Sequence, residues 1–363
     1  MTALQSNLLE NHTPTGREEA WRFTPLKRLG GMHDGTAVVD SRSSLFAKGE
    51  LPKGASFTTG EITALTECDD AIINRIRSHT SIGATLAIAP NTELGEPIFL
   101  GRNAFGLDSA EFSRVQIRVG NHAKATVVLE NTGDTHLAED VEILVEPGAQ
   151  LTLIALQEWG SKTIHTARHH AVVDRDASFK SVVVTIGGDV VRLLPTVDFV
   201  APGASCDLSG VYFATAGQFF EHRMFVDHKV PHAKSRVNYK GALAGDKAHT
   251  VWIGDVFIRA AAEGTDTYEL NRNLLLTDGA RADSVPNLEI ETGEIVGAGH
   301  ASTTGRFDDE QLFYLMSRGI NEADAKRLVV RGFFNEIISE IGIDDVAVRL
   351  MARIDEELAK AGS

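Results

Sequence analysis

Cysteine is almost absent: among 363 residues only Cys68 and Cys206 carry thiols, and they show no CxxC spacing. That excludes a disulfide framework, agrees with a reducing compartment, and leaves too few thiolates for a cluster held by four cysteines. Long hydrophobic runs are missing too. The N-terminus lacks a basic region followed by an apolar one, and no run approaches the roughly 18 apolar residues of a membrane span. A soluble, cytoplasmic protein with no membrane partner is therefore expected. Positive charge is scarce, with 35 Lys plus Arg against 50 Asp plus Glu and a net charge of −15, which repels nucleic-acid backbones. GxxxxGK[ST], GxSxG and HExxH do not occur, so ATP binding by the chain itself, serine hydrolysis and zinc proteolysis lack motif support.

What is present changes texture twice along the chain. Residues 1–110 read as an N-terminal α-containing domain, with an EAWRFTPL opening and helical spacing in ECDDAIINRIRSH. Residues 111–305 turn into short β-branched runs, among them RVQIRV, KATVVLE, VEILVE and KSVVVTI, separated by Gly, Asp and Asn turns. Ala123, Ala149, Ala177 and Ala204 each follow a turn pair, at separations of 26, 28 and 27 residues, with later echoes at Ala248 and Ala280. A repeat of that length built from strands predicts a solenoid, here a parallel β-helix, with small corner residues letting successive coils approach. An evenly turned β-sandwich is the competing architecture.

Residues 306–363 read as a C-terminal helical domain. Asp308 is expected to cap a helix bearing Leu312, Leu315 and Met316, which Gly319 stops. Asn321 caps a second, with Leu328, Val329, Phe333, Ile337 and Ile341 at helical spacing, and Gly342 ends it. Three short helices bury little alone, so they pack on the solenoid or on another protein. Leu312, Phe313, Leu328, Phe333, Phe334 and Ile337 are the candidate partner-facing residues.

Few residues invite chemistry. His165, His169, His170, His222, His228, His232 and His249 crowd the β region, and alternation along a strand keeps His169 and His170 from sharing one metal. Solvent-facing imidazoles along the rungs are expected. Cys206 reads as a small buried hydrophobe, and Cys68 sits beside Asp69 and Asp70, whose charge disfavours a thiolate. A β-helix carbohydrate-active enzyme would use carboxylates such as Asp174, Asp176 or Asp207, but nothing in the spacing selects them, and an aromatic share of 7% is no enrichment for sugar stacking. His300 stands apart, framed by Gly299 and Ala301 where the solenoid hands over to the helices, and imidazole ligates iron as well as zinc or copper.

Three segments together resemble the SufB/SufD family of iron–sulfur cluster assembly proteins, the SufD type more than SufB. They are residues 267–320, with NRNLLL, PNLEI and LFYLMSRGI; GFFNEI at 332–337; and EAWRFTPL at 19–26. The resemblance implies a β-helix flanked by helical domains, with no enzymatic activity of its own. It implies pairing with SufB through the β-helices, or with a second copy of itself as a homodimeric solenoid in isolation. It also implies binding of the SufC ATPase through the C-terminal helices, and an iron–sulfur cluster held transiently in complex with SufB. His300 matches the histidine of the family's CxH motif, a candidate cluster-assembly residue. Ala298 stands where that motif has cysteine, so the sulfur-accepting thiols would come from SufB.

Overall fold

The structure, a computed structural model, describes residues 12–307 and 309–361. Asp308, the expected helix cap, lies outside the described residues. In chain order the first strands are β1 (Val39–Asp40), β2 (Leu45–Ala47), β3 (Ala55–Glu61), β4 (Ile82–Ile88), β5 (Ile98–Arg102), β6 (Gly106–Val119), β7 (Lys124–Gly133) and β8 (Thr135–Val145). There follow β9 (Gln150–Trp159), β10 (Ile164–Val173), β11 (Ser178–Ile186), β12 (Val190–Phe199), β13 (Ser205–Ala214) and β14 (Phe219–His228). The last are β15 (Lys234–Leu243), β16 (His249–Ile258), β17 (Asp266–Leu275), β18 (Arg281–Ile290) and β19 (Gly297–Arg306). Helices α1 (Ala71–His79), α2 (Asp309–Ser317), α3 (Glu322–Ile338) and α4 (Asp344–Ala361) complete the regular structure. No helix of the described residues is long and apolar enough to cross a membrane.

From β4 to β18 the even strands form one parallel sheet, and from β5 to β19 the odd strands form the other. Each coil is one strand of each sheet, so the chain winds a parallel β-solenoid of about eight turns, as the repeat predicts. Stacking is enforced at a corner. His122 and Asp176 adopt left-handed backbone there (φ 55° and 53°), and Gly148 and Gly203 fill the same place in the coils between, where glycine adopts that conformation without strain. The left-handed residue aims its N–H at the next coil: His122 donates to the Pro147 carbonyl at 3.0 Å, Gly148 to Arg175 at 2.8 Å and Asp176 to Pro202 at 3.2 Å. The alanine that follows, at 123, 149, 177 and 204, is buried because only a methyl fits between coils so close. Ala233, after left-handed His232, belongs to the series although the sequence spacing did not single it out.

Inward side chains stack in columns from coil to coil. One column runs Ile117, Ile143, Ala171, Val197, Val226, Val256 and Leu288 through six ladder pairings. Burying each of its branched members stabilises by about 1.5–3 kcal/mol. The histidines depart from expectation: His165, His169, His170, His222 and His228 are buried rather than solvent-facing. Alternation puts His165, His169, His222 and His228 on the same face as Ala167, Ala171, Met224 and Val226, the interior of the solenoid, so these imidazoles are core groups, and only His170 lies on the outer face of its sheet. Aromatic neighbours accommodate several of them; His222 stacks on Tyr212 and accepts or donates a 2.9 Å hydrogen bond with Thr185 Oγ1.

The outer faces of the two sheets are covered in part by the two flanking segments. Trp21, Leu29, Met32 and the α1 residues Ile72, Ile73 and Ile76 pack on Phe112, Ala138, Val190 and Val251 of the even sheet. Asp70 caps α1 by accepting from the Ile72 and Ile73 amides, and Arg192 of β12 donates to its other oxygen at 2.7 Å, tying the helix to the coils. On the odd sheet, Val330, Phe334, Ile337, Leu350 and Ile354 of α3 and α4 seal Ile154, Val182, Val184, Val211 and Phe213. The expected boundary at residue 111 does not coincide with the start of the coils. Leu86 of β4 already pairs with Ile117, and Leu100 of β5 with Leu129, because the first coil needs these strands to cover its own inward face.

Burial holds the imidazoles neutral, with His169 and His228 lowered to about 4 and His170 and His222 to about 3. Because the unfolded chain takes up protons near pH 6.5 that the folded chain refuses, stability is full above that pH and falls as pH drops through it. The urea midpoint is therefore expected to decline between pH 7 and 5, by about 2 kcal/mol for each such imidazole at pH 5. His222→Gln should remove one imidazole's share of that decline; an unchanged pH slope in this variant would contradict the assignment.

Candidate functional site at the open end of the solenoid

The two ends of the solenoid differ. At the N-terminal end, β3 runs antiparallel to β4 and short β2 antiparallel to β5, closing the stack against further parallel coils. At the other end, β18 and β19 are ten-residue parallel strands, and among the described residues no strand follows either. Such edges present rows of unpaired N–H and C=O groups and are templates for another strand. A solenoid ordinarily protects its terminal coil.

The interior encloses polar groups along much of its length, and at that end they are connected into a network. On the odd sheet one inward column runs Val127, Leu153, Ser181, Leu208 and Val237, and then continues to Glu269 and His300. The adjacent columns end Tyr239, Asn271, Ser302 and Tyr212, Gly241, Asn273, Thr304. Gly210 and Gly241 leave the space that the rings of Tyr239 and Tyr212 occupy, and a methyl at either position would overlap them. The Tyr212 hydroxyl donates to Asn273 Oδ1 at 2.7 Å and accepts from Asn271 Nδ2 at 3.0 Å. Asn273 Nδ2 donates to Asn271 Oδ1 at 2.7 Å and to Ser284 Oγ of the even sheet at 3.0 Å, so the network crosses the interior.

Glu269 is 1% exposed, yet among the described residues neither carboxyl oxygen has a hydrogen-bond partner. Burial, reinforced by the negative charge of Asp255, pushes its carboxyl up to about 8. Its nearest polar neighbour of opposite potential charge is His300, directly opposite on β19, with Nδ1 3.8 Å from Oε1. The His300 side chain is 43% exposed because β19 is the last rung. It is the only imidazole of its column and points along the interior of an uncapped end, flanked by Gly299 and Ala301.

Residues 102–333 match the core domain described as "SUF system FeS cluster assembly, SufBD core domain". The chain belongs to the SufBD family of iron–sulfur cluster assembly proteins. An iron–sulfur cluster assembly SufBD family protein of Mycobacterium tuberculosis is 46% identical over 359 residues, covering 95% of this chain and 89% of that one. The iron–sulfur cluster assembly protein SufD of Escherichia coli is 25% identical over 385 residues, covering 97% and 90%. A second SufBD family protein of M. tuberculosis is 28% identical over 204 residues, which is 56% of this chain and 24% of that protein. The SufBD core domain thus spans the coils from the last residue of β5 onward and the helices as far as Phe333.

Within this SufBD chain the candidate residues separate. Phe334 and Ile337 are fully buried against the odd sheet, so they hold α3 on the solenoid and are not a free surface. Phe333 is half-buried, with Lys240 over its ring at 5.2 Å, and Leu312 is half-buried. Phe313 at 74% exposure, with Tyr314, Met316 and Leu328, faces outward. Neither thiol is near the open end. Cys206 is an inward residue of β13, its thiol pushed far up by burial, and Cys68 lies beside α1, pushed to about 11 mainly by burial and by Asp70. Asp174 and Asp176 belong to a corner turn, and Asp207 points outward from β13, so these carboxylates do not converge.

Sequence reasoning found His300 and missed Glu269, Asn271 and Asn273. Their signal was the polar residue at every second position of DTYELNRNLL, on the face where other strands carry Val and Leu. Asn271→Leu removes one hydrogen-bond partner each from Tyr212, Asn273 and Ser284 and should cost about 1–3 kcal/mol. Ser302→Ala, one rung further out on the exposed strand, should stay within about 0.5 kcal/mol; urea midpoints of the two variants measure the difference.

Proposed function

We propose that this chain is the SufD-type, non-catalytic subunit of an iron–sulfur cluster assembly scaffold. It pairs with SufB through the open edges of β18 and β19, and the SufC ATPase carries the ATP hydrolysis. The observation that supports this most directly is the uncapped C-terminal end, where two ten-residue edges flank an accessible histidine on a polar interior. Backbone pairing across such an edge continues the ladder, so a second β-helix adds without rearrangement of the first. The nascent cluster is cargo of the joint. Its thiolates come from SufB, since Ala298 offers none and Cys206 is enclosed three coils back in the same inward column.

The SufC-facing surface is α2 and the exposed side of α3, centred on Phe313, Tyr314, Met316 and Leu328. These large apolar groups stand in water beside helices already anchored by Phe334 and Ile337. Apolar groups clustered in this way mark contact sites. A second copy of this chain competes for the same edges when SufB is missing, and a homodimer in isolation is the expected consequence.

Co-expression with SufB and SufC tests the reading. The three chains should co-elute, and His300→Ala should keep the complex while reducing its iron content and visible absorption; failure to co-elute would sink the proposal. Phe313→Asp with Leu328→Asp should release SufC and leave the urea midpoint of the isolated chain within about 0.5 kcal/mol. Phe334→Ala should instead cost about 3–5 kcal/mol through the cavity it opens.

A further inference from the structure

We propose that Pro286 is a specificity determinant of the open end: it interrupts the edge of β18, so that a docking solenoid forms its continuous ladder along β19 and meets β18 only in two short stretches. The inference deepens the reading that another solenoid docks at this end, and rests on it for the identity of the docked strand. Consecutive residues of a parallel strand aim their N–H and C=O groups at opposite neighbours. Arg281, which opens β18, and Glu291, just past its end, donate back to the Ala248 and Ile258 carbonyls of the preceding coil, each at 2.8 Å. Alternate residues from 281 to 291 therefore serve β16, and the backbone groups of Ala282, Ser284, Pro286, Leu288 and Ile290 face the free edge. Pro286 stands at the centre of that row and has no N–H to offer.

The solenoid itself shows what this does to a neighbouring strand. Pro195 lies in β12, where Val200 donates back to Val173 at 3.1 Å, so that Pro195 faces the following strand. Toward β10 the pairing of β12 runs through all ten residues, with His169 opposite Pro195. Toward β14 it stops at Leu193, opposite His222, and resumes at Thr196, opposite Phe225, leaving Leu194 and Pro195 out of the ladder. β18 repeats the first half of that pattern, since its ladder to β16 is unbroken over ten residues with Gly254 opposite Pro286. The break falls on whatever strand comes next. β19 carries no proline. Gly297 and Phe307 donate back to Thr265 and Leu275, at 3.3 and 3.0 Å, so Ala298, His300, Ser302, Thr304 and Arg306 present an unbroken row of N–H and C=O groups.

Packing supplies no comparable reason for proline at 286. The residue is half-buried on the last rung of its sheet, and Gly254, before it in the same column, leaves its side-chain space to the Glu269 carboxyl. Proline on a sheet edge refuses indiscriminate strands. A straight strand laid on β18 would enclose a carbonyl with no donor at the level of Pro286. The partner that fits is the terminal coil of a solenoid whose own strand is broken at that level.

Analytical ultracentrifugation of the isolated full-length chain tests this, with a second copy as the docking solenoid. Pro286→Ala restores the missing N–H and should tighten self-association at least about fivefold. Pro195→Ala, the same substitution in a strand flanked on both sides, should leave association unchanged. Ser302→Pro removes an edge N–H from β19 and should weaken association at least about fivefold. Equal association of wild type and Pro286→Ala overturns the proposal, and so does an equal gain in Pro195→Ala. Pro286→Ala adds a donor and removes none, so it stays informative should Ser302→Pro impair folding. Co-elution with SufB is scored separately: a chain that gains affinity through Pro286→Ala yet never pairs with SufB loses the SufD-type reading and keeps the edge determinant, and the reverse result loses only the determinant.

Discussion

Every coil of this protein depends on its neighbours for backbone hydrogen bonds. A strand of either sheet is paired on both sides by strands about one turn earlier and later, and even the corner N–H groups reach across to the next coil. A chain built this way has no natural stopping place. It must either close the stack with something that cannot continue it or leave an edge for another molecule. The N-terminal end takes the first course, with two antiparallel strands, and the C-terminal end takes the second. The functional reading follows from that asymmetry.

The same constraint explains where polar chemistry sits. Many inward columns are Val, Leu, Ile and Ala, for which tight stacking is favourable without partners, but polar groups such as Arg102, Asn131, Glu139, Gln157 and His165 are enclosed among them from the first coils onward. Toward the open end they pass into a cross-sheet network of Tyr212, Asn271, Asn273 and Ser284, and then into Glu269 and His300. Buried amides and hydroxyls are tolerated only when each is satisfied, and the network achieves this by pairing across coils and across sheets. Glu269, at the rung next to the mouth, is buried with both carboxyl oxygens unpartnered among the described residues.

The C-terminal helices show how apolar residues divide between two duties. Phe334 and Ile337 of α3 face the odd sheet, whereas Leu328 of the same helix and Phe313 of α2 face water, although the sequence offers all four as candidate contact residues. Helical spacing reports that a face is apolar; it does not report which neighbour covers it. For the histidines the same limitation acted in reverse. Alternation along β10 and β14 shows which imidazoles share a face but not which face is the interior, and His165, His169, His222 and His228 turn out to share the one that carries Ala171 and Val226 into the core.

The sequence by itself determined the architecture class, because the corner alanines and left-handed turn residues recur at the coil length and each acts locally. It also determined the family, through the long NRNLLL to SRGI stretch, and it set His300 apart by its small neighbours. What only the tertiary structure decided are relations between residues one coil or one sheet apart: that Glu269 lies opposite His300, that Gly254 makes room for its carboxyl, that five imidazoles are enclosed, and that one end of the stack is left unpaired. Spacing within a strand tells which side chains share a face, whereas partnership across coils depends on the register in which the strands stack, and that register exists only once the solenoid is wound.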